Sequence, residues 1–308
     1  MTTNSSPEHG SEHRGMTEHF THGTLTTNGL LTHYLEAGEP GAPLVVLLHE
    51  GAFGASAVGS WAHVIPVLAE RYHVIAPDLY GYGSSSKMIQ FDVPPYEFRL
   101  RQVAALLDAL GLGATRAHVI GNSFGGAMAL RATTLDWFSW RLNSVVSFGG
   151  TGGPYRAAAG LDRLGRFDGT VEDMEDLVRF ANGEFDGFAE QVAVRMEGAT
   201  AGNYRSVMAP LMPAPFAAAP PADPYPEMLA DTTVPLVAIA GKDDPFVEPG
   251  WAEKIAVHAP LGRALLIDGG HSPNVADPVG TAQLILDVLR ENEDLLAAQA
   301  ESRNKGKA

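Results

Sequence analysis

Between Leu44 and Phe148 the chain alternates short apolar runs with longer stretches of helical spacing, and few folds accommodate that pattern. The runs are "PLVVLLHE", "HVIAPD", "AHVIG" and "SVVSF". Leu44 to Leu48 is apolar without a break, which suits a strand covered on both faces, as in a parallel sheet. Helical spacing fills the intervals: around Trp61 to Arg71, from Tyr96 to Leu110, and from Phe124 to Thr134. Gly111 stands where a helix C-cap is expected. Alternation of this kind implies an α/β protein with a doubly wound, mostly parallel sheet. It resumes late in the chain with "PLVAIAG", a helix over Trp251 to His258, "ALLID" and a helix over Val279 to Leu289. Ahead of it, "GTLTTNGLLTHYLEAGEPG" reads as two strands about a turn at Thr27 to Gly29.

The interval from about Gly152 to Thr233 has no strand pattern. It carries helical pieces, "VEDMEDLVRFANG" and "GFAEQVAVRMEG", and the Pro- and Ala-rich "MAPLMPAPFAAAPPADPYP". Both its ends join one sheet, so it reads as a helical insertion over the sheet rather than an independent domain. The expected organisation is a disordered tail over 1–22, a core over 23–151 and 234–290, a helical cap over 152–233, and a C-terminal tail over 291–308 that reads as a frayed helix and a solvated end. Phe180, Phe185, Phe188, Met196, Met208 and Met212 are candidates to face an apolar pocket, although such residues at helical spacing are more often ordinary packing.

Composition removes several classes of function. Lys and Arg total 21 against 36 Asp and Glu, a formal charge of −15, and no basic cluster is visible. Nucleic acid is therefore not the expected partner. The chain has no cysteine, which excludes disulfides, thiolate nucleophiles and Cys-based metal sites, and fits a cytoplasmic protein. "MTTNSSPEHGSEHRGMTEHF" lacks the apolar core of a signal peptide. No stretch is long and apolar enough to span a bilayer, so no membrane association is expected. His9, His13, His19 and His22 could bind metal weakly, but a polar tail with nothing to bury is the simpler reading, and no metal site is assigned.

Gly121-Asn122-Ser123-Phe124-Gly125 carries the chemistry. It fits G-x-S-x-G with a strand before it and a helix after it. Flanking glycines relieve the clash of a tight turn, and the serine is forced into an exposed, strained position above the sheet. The Phe124 amide, at the helix N-terminus, then faces the same space and can stabilise an oxyanion. Without that context the motif is weak, and an ordinary strand-to-helix turn would explain it. The serine needs a base. Most of the 11 histidines lie in the tail or within elements. His271 follows "ALLID" and two glycines, on a loop at the C-terminal edge of the sheet, where ligands bind in open α/β folds. His49 precedes the loop facing the serine and is expected to shape it. "AIAGKDDPFVEP" offers two carboxylates at another strand end. Asp244 lies further out and is preferred, with Asp243 as the alternative in a capping role. The order Ser123, Asp244, His271 is that of a nucleophile-elbow hydrolase. A second oxyanion donor is expected from "HEGAFGAS", at Gly51 or Ala52. Glu50 is out of place there, because a carboxylate opposes a developing oxyanion.

On these residues the chain resembles the α/β-hydrolases. Within them it resembles the carbon–carbon bond hydrolases of meta-cleavage products from aromatic degradation. The segments that carry the resemblance are "THYLEAGE", "VVLLHEGAFGAS", "IPVLAERYHVIAPDLYGYGSS", "HVIGNSFGGAMAL", "GKDDPFV" and "GGHSP", and they cover most of the chain outside the insertion. The resemblance implies a 2-hydroxy-6-oxo-2,4-dienoate-type substrate, no metal or organic cofactor, and a homodimer. It also implies substrate contacts from Asn122, Arg195, Phe246 and Ser60. The chain departs from the family at Glu50, where glycine is usual, at Ser60, where asparagine is usual, and at Ser272, where tryptophan often stands. Arg195 also has a plainer explanation as a salt-bridged helix residue with Glu190 and Glu197 nearby. A carboxylesterase or lactonase with the same three residues is the alternative activity. A ligand-binding receptor of this fold is a third reading.

Overall fold

The computed structural model describes residues 19–90, 93–203, 207 and 223–305. Its centre is an eight-stranded sheet in the order β1-β2-β4-β3-β5-β6-β7-β8. The strands are β1 (Thr21–Thr27), β2 (Leu30–Ala37), β3 (Leu44–Leu48), β4 (His73–Pro77), β5 (Ala117–Asn122), β6 (Leu142–Phe148), β7 (Leu236–Gly241) and β8 (Gly262–Ile267). β4 through β8 and β3 run parallel, and only β1 and β2 are antiparallel to their neighbours. Every residue of β3, β4 and β5 is buried, as expected for strands covered on both faces. The first hairpin closes through Asn28 and Gly29 at φ 53° and 77°, so Thr27 pairs with Leu30 across a two-residue turn.

Helices cover both faces. The chain before the insertion contributes α1 (Ala57–Trp61), α2 (Ile65–Leu68), α3 (Pro95–Ala109), α4 (Phe124–Ala132) and α5 (Asp136–Ser139). The insertion contributes α6 (Ala158–Gly165), α7 (Val171–Asn182) and α8 (Phe188–Gly198). The end of the chain supplies α9 (Trp251–Ala256), α10 (Pro273–Ala276) and α11 (Pro278–Lys305). One apolar cluster joins α3, α4, α9 and the insertion helices to one face, and a second joins α1, α2 and α11 to the other. No helix among the described residues is long and apolar enough to cross a membrane.

Three sequence expectations are corrected. The single helix anticipated around Trp61 to Arg71 is two short ones, because Pro66 has no N–H to donate to residue 62 and its ring crowds that carbonyl. The N-terminal tail does not reach residue 22: Thr21 and His22 already pair with Glu36 and Leu35, and His22 meets His33 at 2.9 Å. The C-terminal stretch, expected as a frayed helix and a solvated tail, is continuous helix through Lys305. α11 continues because Ala282, Ile285, Val288 and Leu289 bury one stripe against the sheet, while Asn292 and Glu291 meet Arg263, and Glu293 accepts from Tyr72. His9, His13, Met208 and Met212 lie outside the described residues.

The insertion is stitched to the core at its far end. Asn203 accepts from the Gly54 amide at 2.7 Å and donates to the Gly81 carbonyl at 3.0 Å, joining it to the loops after β3 and β4.

The packing of α4 onto β3 requires glycine. A Cβ on Gly125 would lie 2.2 Å from the Leu48 carbonyl oxygen, and one on Gly121 would lie 2.1 Å from the Gly125 carbonyl carbon. Gly125→Ala is expected to lower the unfolding free energy by about 1–3 kcal/mol or more, since backbone must yield to it. Gly165→Ala, at an open helical position, is expected to be neutral or to stabilise by up to about 1 kcal/mol. Paired denaturant titrations of the two variants measure both.

Candidate active site

The parallel strands end on one edge, and the loops that follow all six of them meet there. The backbone of Ser123 sits at φ 54°, ψ −114°, the left-handed half of the map that a non-glycine residue enters only under constraint. Two bonds hold it: the Ser123 N–H donates to Phe148 O at 2.6 Å, and Ser123 O receives the Ala127 N–H at 2.8 Å. The strain lifts Oγ off the sheet to within 2.7 Å of His271 Nε2. His271 Nδ1 meets Asp244 Oδ2 at 2.8 Å, and the other Asp244 oxygen accepts the Phe246 N–H at 2.8 Å. With Nδ1–H donated to the carboxylate, Nε2 is left as an acceptor for the serine hydroxyl. The Asp244 side chain is 1% exposed, so its charge is directed at the imidazole and not at solvent. Asp243 is exposed and does not touch His271; its amide bonds the Gly269 carbonyl.

Gly149 lies directly beneath this chain at φ 58°. A Cβ there would lie 2.9 Å from His271 Nδ1 and 3.0 Å from Asp244 Oδ2. The ring of Phe246 packs on His271 with centroids 4.4 Å apart. The His271 loop is also tied from two sides. Asn122 Nδ2 donates to His271 O at 2.8 Å and its Oδ1 accepts from Ser272 Oγ at 3.1 Å. From the insertion, Ala181 O accepts the His271 N–H at 2.8 Å and Asn182 Oδ1 accepts the Ser272 N–H at 2.7 Å. The imidazole is thus positioned by β5 below and α7 above.

Ser123 and His271 open onto a cavity of about 300 Å³. Gly51, Ala52 and Phe124, the three anticipated oxyanion positions, line it, as do Phe246 and Arg195. Its apolar wall comes from Leu161, Leu164, Leu177 and Val178 of the insertion and Val247 of the core. Phe180 backs Phe246 edge-on, whereas Phe185 and Phe188 pack on each other away from the cavity and Met196 does not line it.

Two anticipated contacts are placed elsewhere. Asn122 is fully buried and does not line the cavity; its amide holds the histidine loop. Ser60 stands behind Glu50, and its hydroxyl donates to Glu50 Oε2. In both cases the residue sits one layer below the wall, because its polar group is needed to satisfy a buried neighbour.

Glu50 and Arg195 explain one another. Both are buried, at 2% and 6% exposure, and Arg195 Nη2 donates to Glu50 Oε1 while Nη1 donates to Phe53 O at 3.2 Å. The carboxylate that answers Arg195 comes from the loop after β3, 145 residues away in the chain. Burial opposes the charge on Glu50, but the guanidinium and the Ser60 hydroxyl hold its carboxyl below the usual glutamate range. The loop histidine, His49, is fixed as anticipated: Nε2 accepts the Leu79 N–H at 2.9 Å, so Nδ1 donates to Glu50 O at 2.7 Å.

Among the cavity residues that the sequence reading did not single out, one is charged and buried. Arg99 on α3 is buried, its Nε donates to Tyr80 O at 3.0 Å and its Nη1 to Pro95 O at 3.3 Å. Its guanidinium carbon lies 5.2 Å from the Phe124 ring centre and 5.5 Å from that of Tyr82. The signal was available: Arg99 shares a helical face with the buried Val103 and Leu106, four and seven residues on.

Removing one member of the buried pair leaves the other uncompensated. Glu50→Ala is expected to lower the unfolding free energy by about 3–5 kcal/mol. Because the native carboxyl is held below its ordinary value of about 4.3, Glu50 contributes its full stability above that pH and loses it as the pH falls through the native value. Glu50→Gln is therefore expected to flatten the fall in stability below about pH 4.3, which urea titrations from pH 3 to pH 7 measure.

A model of the alpha/beta hydrolase family matches residues 45–284. The 2-hydroxy-6-oxo-6-(2'-aminophenyl)hexa-2,4-dienoic acid hydrolase of Metapseudomonas resinovorans is 29% identical over 288 residues, 90% of this chain and 93% of that one. Among solved structures, a serine hydrolase of carbazole degradation superposes with a TM-score of 0.73 at 27% identity, covering 88% of this chain and 99% of the other. The 2-hydroxy-6-oxo-6-phenylhexa-2,4-dienoate hydrolase of Rhodococcus sp. strain RHA1 gives the same TM-score at 25% identity, covering 88% and 99%. A family match over most of its length, on a sheet of this order with a serine at the elbow, means that the chain belongs to the alpha/beta hydrolase family.

Proposed function

We propose that this chain is a cofactor-independent serine hydrolase that cleaves a carbon–carbon bond in a 2-hydroxy-6-oxo-2,4-dienoate-type substrate. The observation that carries the reading is the unbroken chain from Ser123 Oγ through His271 to the buried Asp244 side chain, with Ser123 and His271 lining the cavity. The relatives named above, which act on dienoates of this type, supply the substrate class.

The chemistry follows from the geometry. His271 Nε2 removes a proton from the 2-hydroxyl and returns it to C5, which converts the dienol to its keto form. Nε2 is then free to take the proton of Ser123 Oγ, or of a water beside it, as the oxygen attacks the C6 ketone. Asp244 stabilises the imidazolium that forms. The oxyanion at C6 sits against the amides of Phe124 and of Gly51 or Ala52. Collapse of that intermediate breaks the C5–C6 bond. The electron pair is delocalised into the C2 carbonyl, and the C6 carbonyl leaves as an acid once water has released any ester to Ser123. The Leu161, Leu164, Leu177 and Val178 wall takes the apolar group borne on C6.

Carboxylesterase or lactonase activity is the second reading, and the Arg195–Glu50 pair favours it. An arginine already neutralised within the protein is a poor anchor for a substrate carboxylate.

Stopped-flow absorbance with 2-hydroxy-6-oxo-6-phenylhexa-2,4-dienoate, run beside a p-nitrophenyl ester, separates the two readings. Rapid loss of the dienoate chromophore supports carbon–carbon cleavage, and ester turnover alone supports the alternative. On whichever substrate turns over, Ser123→Ala is expected to lower kcat by at least about 10³-fold. Asp244→Asn is expected to lower kcat by orders of magnitude through the wrong imidazole tautomer, and Asp243→Asn to change it less than about threefold. Equal losses in the two aspartate variants would remove Asp244 from the role given to it.

A further inference from the structure

The cavity wall carries three arginines, and they differ in what answers their charge. Arg195 is paired with Glu50. Arg156 lines the cavity but is exposed. Arg99 is buried at 6% exposure and, among the described residues, has no carboxylate partner. Its two acceptors are backbone carbonyls, those of Tyr80 and Pro95, and Nη2 has no acceptor among the described residues. The rings of Tyr82, Phe98 and Phe124 lie 5.5, 6.0 and 5.2 Å from its guanidinium carbon. They offset part of the cost of burying a cation but bring no negative charge.

Position adds to this. Phe124 supplies one anticipated oxyanion amide, and Tyr82 donates to the carbonyl of Gly51, another anticipated oxyanion residue, at 2.9 Å. Arg99 therefore stands beside the oxyanion wall, in the cavity that the apolar residues of α6 and α7 also line. A ligand whose carbonyl meets Ser123 and the Phe124 amide lies beside the residue whose ring is 5.2 Å from the Arg99 guanidinium carbon.

We infer that Arg99 and not Arg195 binds the carboxylate of the substrate, so that the site selects carboxylate-bearing acyl compounds and the Glu50–Arg195 pair is a charge-neutral section of the wall. The guanidinium edge bearing Nη2 presents donors in the fork geometry that a carboxylate accepts. Arg99 acts here as a specificity-determining residue. The inference rests on the hydrolase reading above only for where the reacting carbonyl sits.

Calorimetric titration tests it without turnover. The protein is the full chain carrying Ser123→Ala, and the probes are hexa-2,4-dienoate and its neutral analogue hexa-2,4-dienamide. The parent is expected to bind the dienoate at least tenfold tighter than the amide. Adding Arg99→Gln is expected to erase that preference while leaving amide affinity within about threefold. The paired change Glu50→Gln with Arg195→Met is expected to preserve the preference. Persistence of the preference in the Arg99→Gln protein, its loss in the Glu50→Gln/Arg195→Met protein, or no preference in the parent each overturns the inference. Should Arg99→Gln fail to fold, Arg99→Lys decides the matter. A point charge replacing the fork weakens dienoate binding several-fold and spares the amide, and unchanged affinity for both overturns the inference. Failure of the hydrolase reading looks different: the unmodified chain does not consume a 2-hydroxy-6-oxo-dienoate, yet the carboxylate preference and its dependence on Arg99 remain. Consumption of that dienoate with an unchanged KM in the Arg99→Gln chain would sink the inference alone.

Discussion

The contact between the start of α4 and the ends of β3 and β5 is the constraint on which this molecule's site depends. The helix begins so close to the Leu48 carbonyl that no side chain fits at Gly125, and the turn before it is too tight for one at Gly121. Between them Ser123 takes a backbone conformation that a serine adopts only when its surroundings leave no other. The strain is held by ordinary hydrogen bonds to Phe148 and Ala127, so the packing of the sheet keeps the hydroxyl raised. A looser approach of α4 would let the turn relax, and Oγ would leave His271.

The second organising feature is buried charge. Four ionised groups sit in or beside the cavity with little solvent: Asp244, Glu50, Arg195 and Arg99. Asp244 is answered by His271 and the Phe246 amide, and Glu50 by Arg195 and Ser60. Asp78, at the end of β4, is built on the same rule. Its oxygens accept from the amides of Ala57 and Ser84 and meet His33, and these bonds, against the cost of burial, hold its carboxyl below the usual range. That cluster ties α1, the first hairpin and the loop after β4 to one carboxylate. Buried charges of this kind fix geometry more than they add stability, because each is desolvated and must find its partner in one place.

Much of the fold was legible because its signals are local. An unbroken apolar run marked β3 and shorter apolar runs marked β4 and β5, Asn28-Gly29 marked the first hairpin, and the glycines around Ser123 marked the elbow. The errors have local causes too. Pro66 interrupts what apolar spacing alone reads as one helix. The stripe through Ala282, Ile285 and Leu289 continues to Asn292, a polar residue that spacing arguments pass over although it is wholly buried.

What the sequence determined by itself is the order of the parts: strands and helices in alternation, a helical insertion between β6 and β7, and Ser123, Asp244 and His271 each at the end of a strand. Those follow from periodicity and turn chemistry, which act between neighbours in the chain. What only the tertiary structure decided is which side chains meet. Glu50 and Arg195 are 145 residues apart, Asn122 and His271 are 149 apart, and neither pairing leaves a trace in local spacing. The same distance hid the difference between the arginines: the sequence singled out Arg195 alone, and only the folded cavity shows Arg195 paired, Arg156 exposed and Arg99 buried without a counter-charge among the described residues. Electrostatic partners are set by proximity in three dimensions, and the sequence specifies that proximity only through the whole fold.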